Sequence, residues 1–99
     1  MGKLVRDKIP EIIEASGATP LTRILETEEY LFCLETKLDE EVQEFHESKS
    51  PEELADILEV VYALAAAQGC SREQLQQIFD AKHTARGGFE KRIFLEGKS

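Results

Sequence analysis

Two pairs of carboxylates on either side of a short turn constrain the fold of this 99-residue chain more than any other feature. Glu41 and Glu44 are three residues apart in one predicted helix, and Glu53 and Asp56 have the same spacing in the next. Residues three apart on a helix have Cβ atoms roughly 5–6 Å from each other, so each pair can aim two carboxylates at one point. The short connection favours antiparallel packing of the two helices, which would bring all four carboxylates together.

Four converging carboxylates indicate a cation, because like charges that close stay ionised only with a positive charge among them. Carboxylate oxygens are hard ligands that suit Mg²⁺, with Mn²⁺ as an alternative. The pattern therefore predicts a metal site formed by Glu41, Glu44, Glu53 and Asp56. Each pair alone also has an ordinary explanation. Glu53 can belong to a helix capping box, and the other pair can be surface acids of a Glu-rich helix.

Apolar residues at three- and four-residue steps predict an all-α fold, a bundle of about four helices in a single domain over residues 1–99. The first helix is short, with Pro10 in its first turn and Gly17 as its stop. The second helix runs from about Thr27, its predicted N-cap, to about Ser48.

Capping boxes are predicted at the starts of the last two helices. Ser50 and Glu53 form the first, and Ser71 and Gln74 form the second, whose helix runs to Arg86. The third helix is apolar over much of its circumference, as expected for a central helix or one at a subunit interface. The C-terminal residues 89–95 are too apolar to remain in solvent, so we expect them to pack on this subunit or on a neighbour.

Charge is distributed unevenly along the chain, which has a net charge of −8. That charge argues against nucleic acid or an anionic membrane as the main partner. Residues 26–59 carry 13 acids and 2 bases, whereas residues 60–99 carry 4 acids and 6 bases. Residues 1–25 are also mildly basic, with 3 acids and 4 bases. This segregation fits a site where the central acids hold a cation and the terminal bases meet an anion.

The remaining signals point to a cytoplasmic protein. No apolar run reaches 18 residues, and the N-terminus has no apolar signal region. Cys33 and Cys70 lack metal-ligand spacing and the density of a disulfide scaffold, so we expect reduced thiols. His46 and His83 are expected to be surface or packing residues. No phosphate-binding Gly-rich loop and no catalytic triad pattern is present, so any phosphate chemistry would depend on the metal.

These motifs together resemble the all-α nucleoside triphosphate pyrophosphohydrolases of the MazG type, a superfamily that includes phosphoribosyl-ATP pyrophosphohydrolase and the dimeric dUTPases. The resemblance rests on E-E-V-Q-E at residues 40–44 followed by E-L-A-D-I-L at residues 53–58. The flanking stretches K-L-V-R-D-K-I-P at residues 3–10 and R-G-G-F at residues 86–89 extend it over nearly the whole chain. Eight residues separate Glu44 from Glu53, fewer than in many members, which would make the pocket more open.

The resemblance implies that Glu41, Glu44, Glu53 and Asp56 bind Mg²⁺ and that a nucleotide is hydrolysed between its α and β phosphates, giving a monophosphate and pyrophosphate. It also implies a homo-oligomer, dimer or tetramer, with sites near the subunit contacts. Of the two carboxylates placed at the catalytic centre, Glu41 and Glu44, we assign Glu44 to accept the proton of the attacking water. Two alternatives stay open: a phosphoribosyl-ATP pyrophosphohydrolase of histidine biosynthesis, and a non-catalytic oligomeric module that binds metal or nucleotide.

Basic residues near both chain ends are the predicted contacts for phosphates that the metal does not cover, through charge-assisted hydrogen bonds. They are Lys3, Arg6, Lys8, Arg86, Lys91 and Arg92. Because they lie at the chain ends, these contacts can cross between subunits.

Overall fold

The computed structural model describes residues 2–99, which form four helices and, over that range, no strand. The helices are α1 (Ile9–Ala15), α2 (Thr27–Ser48), α3 (Pro51–Ala67) and α4 (Arg72–Arg86). Residues 18–26 link α1 to α2 without regular secondary structure. The prediction of an all-α chain with about four helices is confirmed.

The helices α2 and α3 form a hairpin that contains the small core. Lys49 ends α2 in the left-handed conformation, with φ 58°, and its N–H donates to the Phe45 carbonyl at 2.7 Å. Pro51 then begins α3, where its fixed φ suits the first helical position. This two-residue reversal packs α2 on α3. Leu34 and Val60, 4% and 7% exposed, are the buried apolar residues among those described.

The capping box at the start of α4 is confirmed. For α3 the predicted N-cap position is confirmed but the capping box does not form, and the predicted N-cap of α2 is wrong. Ser71 Oγ accepts from the Gln74 N–H at 3.1 Å, and Gln74 Oε1 accepts from the Ser71 N–H at 2.8 Å. Ser50 is the N-cap residue of α3, but its hydroxyl donates to Glu52 at 3.0 Å instead of capping the helix.

At the start of α2, the Tyr30 N–H donates to the Glu26 carbonyl at 2.9 Å, so the N-cap lies one residue before the predicted one, while the helix keeps its predicted bounds. Thr27 is therefore its first helical residue, and Glu26 takes the N-cap position.

The molecule is elongated, because the packing between its helices is sparse. Within residues 2–99, helix packing is confined to α2 with α3 and to a smaller contact of α3 with α4. The radius of gyration is 17.7 Å, against about 13 Å for a compact domain of 100 residues. Among the described residues no single helix is long and apolar enough to cross a membrane. By length and composition alone, only α3 and α4 taken together, with a bend of 108°, could do so.

The C-terminal residues 89–95 do not pack on their own subunit. Gly87, at φ 78°, ends α4, and the chain beyond it stays exposed. Phe89 is 96% exposed and Phe94 is 85% exposed. Of the two locations predicted for this segment, packing on its own subunit is therefore wrong, and packing on a neighbouring subunit stays a prediction.

We expect Ser71→Ala to lower the free energy of unfolding by about 1 kcal/mol, because it removes the hydroxyl acceptor of the α4 capping box. The matched control is Ser50→Ala, which also removes an N-cap hydroxyl, but one that makes no capping bond and should change stability little. Urea denaturation followed by circular dichroism at a fixed protein concentration measures both. Equal losses for the two variants would contradict this account of the caps.

Candidate metal centre

Three of the four predicted ligands converge where α2 meets the first turns of α3. Glu41, Glu53 and Asp56 each offer one carboxylate oxygen, and these three oxygens lie within 4.8 Å of one another. Glu53 and Asp56 share a face of α3 because they are three residues apart. The hairpin places Glu41 of α2 opposite them. We call these three residues the carboxylate cluster.

Glu41 is the buried member of the carboxylate cluster, with 9% of its surface exposed. Its Oε2 atom is buried and makes no hydrogen bond, and its Oε1 atom is 3.7 Å from Lys37 Nζ. Burial raises the pKa of Glu41 most, and Glu44 raises it next, because a proton on Glu41 can be hydrogen-bonded to that neighbouring carboxylate. The charges of Glu44 and Asp56 raise the pKa further, and Lys37 lowers it. A buried carboxylate oxygen without a partner is costly, and a cation at the cluster would supply that partner.

The other two members are half-buried and open toward solvent. Desolvation raises the pKa of Glu53, with added contributions from the charges of Glu44 and Asp56. Asp56 accepts a hydrogen bond from Arg6, with 2.7 Å between Asp56 Oδ1 and Arg6 Nη2. The raised pKa values have one physical origin: several negative charges are crowded into a partly desolvated space.

Glu44, the fourth predicted ligand, lies outside the set of three converging oxygens and is exposed. Its charge still raises the pKa values of Glu41 and Glu53, so it stands at the rim of the carboxylate cluster. On α2 it is three residues beyond Glu41, a rotation of about 60° around the helix axis at 3.6 residues per turn.

Only one of the six predicted phosphate-binding bases contacts the carboxylate cluster within residues 2–99. Arg6 does so through Asp56, whereas Lys3 and Lys8 are exposed. The other three bases line a different feature, an open hollow of about 560 Å³ beyond the end of α4, formed by His83, Arg86, Gly87, Gly88, Phe89, Glu90, Lys91, Arg92 and Ile93.

Lys37 is a cation of the site that the sequence analysis did not identify. Lys37 lies four residues before Glu41, one helical turn away, and this spacing could have predicted the ion pair. The two histidines lie on the surface beside aromatic rings, as predicted. His46 is tilted against Phe45, and His83 is stacked on Phe79 with 5.9 Å between the ring centroids.

The residues of the carboxylate cluster fit a hard divalent cation. Mg²⁺ is commonly bound by one or a few carboxylates together with water and substrate phosphates. Glu41 contributes a buried, unpartnered oxygen, while Glu53 and Asp56 face solvent, from which water or a phosphate can approach. A cation would also relieve the repulsion that raises the pKa values of Glu41 and Glu53.

Comparisons with known proteins give one partial match and assign no activity. No protein-family model matches this chain, and no solved structure matches it. An uncharacterized protein of Mycolicibacterium smegmatis (strain ATCC 700084 / mc(2)155) is 59% identical to it over 44 residues, which are 44% of this chain and 45% of that protein. The chain therefore spans less than half the length of the curated relative it matches.

In EDTA at pH 7 we expect Glu41→Gln to raise the free energy of unfolding by about 1 kcal/mol, because it removes a crowded, buried negative charge. Folding raises the pKa of Glu41 above its ordinary value of 4.5. The folded state therefore holds the proton more tightly than the unfolded chain. The stability gained in this way is complete below pH 4.5 and is lost as the pH rises through the higher pKa of the folded state.

The variant should accordingly lose stability less steeply than the wild type as the pH rises from about 5 to 8. The matched control is Glu40→Gln, which removes one negative charge from the exposed side of α2 and should keep the wild-type pH dependence. Urea denaturation at a series of pH values measures both. A Glu41→Gln protein less stable than the wild type in EDTA would contradict the assignment of Glu41 as a crowded carboxylate.

Proposed function

We propose that this protein is a Mg²⁺-dependent nucleoside triphosphate pyrophosphohydrolase that cleaves between the α and β phosphates. Two observations carry the metal: one carboxylate oxygen each from Glu41, Glu53 and Asp56 converge, and Glu41 has a buried Oε2 without a hydrogen-bond partner. The reaction and the nucleotide substrate rest on the resemblance of residues 40–44 and 53–58 to the MazG-type motifs. The thiols of Cys33 and Cys70, which are free, support the cytoplasm as its compartment.

In the proposed mechanism, the protein's residues hold the metal, orient the substrate and accept a proton. Glu41, Glu53 and Asp56 would hold Mg²⁺, which when bound would supply positive charge for the phosphates and would make water a better nucleophile. We assign Glu44, which is exposed and lies outside the converging set, to accept the proton of that water. Arg6, beside Asp56, can donate charge-assisted hydrogen bonds to a phosphate.

We also propose that the protein works as a homo-oligomer, because one copy leaves too much surface uncovered. Its accessible surface is 8987 Å², whereas a compact monomer of 11.2 kDa would expose about 5,700 Å². The excess exceeds the roughly 1,000–2,500 Å² per subunit that obligate dimers bury. Part of it is apolar: Phe32 on α2 is 71% exposed, Leu54 on α3 is 50% exposed, and Phe94 in the tail is 85% exposed.

The distribution of charge favours a second copy of this chain as the partner that covers this surface. Residues 26–59 carry a local balance of −11, whereas residues 60–99 are mildly basic. The basic C-terminal part of one copy is therefore complementary to the acidic hairpin of another. A stable assembly without catalysis remains the competing function, since the same exposed surface supports it.

Pyrophosphate release tests the activity directly. The wild type should release pyrophosphate from at least one of a panel of nucleoside triphosphates and phosphoribosyl-ATP in Mg²⁺ or Mn²⁺, and not in EDTA. Glu41→Gln should lower kcat/KM roughly 100-fold or more, because it removes the buried ligand. Glu40→Gln, which removes the same charge on the exposed side, should stay near the wild type. Folded, metal-loaded protein without turnover would favour the assembly module, and release of single phosphate would mean a different cleavage site.

Light scattering after gel filtration tests the oligomer. The wild type should elute at a multiple of 11.2 kDa. Phe94→Asp should raise the dissociation constant by roughly tenfold or more, because it places a charge where apolar surface is covered. The matched control is Ser99→Asp, which adds the same charge near the C-terminus but lies outside the apolar residues 89–95. It should leave the mass of the assembly unchanged. A wild-type mass of one chain at 100 µM would contradict the proposal.

A further inference from the structure

The N-terminal segment is tied to the carboxylate cluster by one ion pair. Arg6 Nη2 lies 2.7 Å from Asp56 Oδ1, and this contact joins residues 50 positions apart. The helix that follows Arg6, α1, packs against no other helix within residues 2–99. Leu4 and Val5 are half-buried, so the segment touches the body of the protein around Arg6. Among the described residues, no other side-chain hydrogen bond or ion pair joins residues 2–8 to the helices.

The two cations of the site are held with different strengths. Lys37 and Glu41 belong to the same helix, and their side chains are 24% and 11% exposed. The side chains of Arg6 and Asp56 are 56% and 42% exposed, and their backbones belong to different elements. Half-exposed ion pairs of this kind are weak. Arg6 is therefore the cation that a competitor can displace.

We propose that Arg6 substitutes for a divalent cation at Asp56 and is displaced when that cation binds the carboxylate cluster. A divalent ion brings twice the charge to the same carboxylate and repels the guanidinium. Its binding breaks the contact between Arg6 and Asp56 and releases residues 2–8 from α3. The freed guanidinium then has all of its donors available for an anionic phosphate. In this way metal binding makes the Arg6 side chain available to bind phosphate.

This inference rests on the proposed metal site, and Mn²⁺ binding tests the two separately. Free Mn²⁺ is titrated by electron paramagnetic resonance into the wild type, Arg6→Gln, Lys8→Gln and Glu41→Gln. Arg6→Gln should bind Mn²⁺ about two- to fivefold more tightly, because the competing ion pair is gone. Lys8→Gln removes the same charge from the same segment, and within the described residues Lys8 makes no ion pair. Its affinity should stay near the wild-type value.

Amide hydrogen exchange of residues 4–12, measured by mass spectrometry with Mg²⁺ and with EDTA, reports the release itself. The Ile9 N–H donates to the Arg6 carbonyl at 3.0 Å and the Ile12 N–H to the Lys8 carbonyl at 3.1 Å, so both amides bond to carbonyls of the segment that moves. Mg²⁺ should speed exchange there in the wild type and leave Glu41→Gln unchanged. In Arg6→Gln, exchange should already be fast in EDTA.

If Mn²⁺ binds the wild type but not Glu41→Gln, the metal site stands. Three results would then overturn the inference about Arg6 alone. They are weaker Mn²⁺ binding by Arg6→Gln, equal tightening by Lys8→Gln, and wild-type exchange that does not change with Mg²⁺. The first would make Arg6 a residue that positions Asp56, and the second would reduce its effect to general electrostatics. Wild-type protein that binds no Mn²⁺ would overturn the metal site and this inference together.

Discussion

Repulsion among carboxylates at the junction of α2 and α3 is the constraint on which the rest of the structure depends. The left-handed Lys49 and the helix-starting Pro51 leave the chain a two-residue reversal, so the end of α2 must pack beside the start of α3. That packing buries Glu41 against Asp56, although burial and like charge both raise the pKa of Glu41. Hydrophobic contacts elsewhere in the hairpin must offset this cost, and apolar residues at these positions would avoid it. The proposed cation-binding role would explain why a chain carries such an arrangement.

The small core limits how far one copy of the chain can offset this repulsion. Leu34 and Val60 are buried, but Phe32 on α2 faces solvent, and so do the large apolar residues of the C-terminal segment. A hairpin with so little buried apolar surface has limited capacity to offset the electrostatic cost of its own site. A second copy that covers the exposed apolar surface would add the missing burial. It would also bring the mildly basic C-terminal part near an acidic hairpin. The same contact between copies would then bury apolar surface and bring opposite charges together.

The two cations at the carboxylate cluster, Lys37 and Arg6, are held in different ways. Lys37 lies one turn from Glu41 on the same helix, so its position is set by the helix itself. Arg6 comes from a segment outside the hairpin and meets Asp56 in a half-exposed contact. A fixed cation lowers the pKa of the buried carboxylate whether or not metal is bound. In the proposed coupling, a mobile cation would leave when metal binds and would then meet an anion. The proposal would give the N-terminal segment a function.

The sequence by itself determined the features that depend on local geometry. Helical periodicity predicted the bounds of α2 and α4, the Ser71 capping box, and the side-by-side placement of Glu53 and Asp56, because each follows from backbone spacing within one helix. Tertiary structure alone decided which carboxylates converge, because Glu41 and Glu44 have the same spacing as Glu53 and Asp56, yet only Glu41 joins the pair from α3. It also paired Arg6 with Asp56 across 50 positions, a contact for which no short-range pattern exists. Helix periodicity sets the direction of a side chain within its own helix, whereas the partner it meets depends on how the rest of the chain packs.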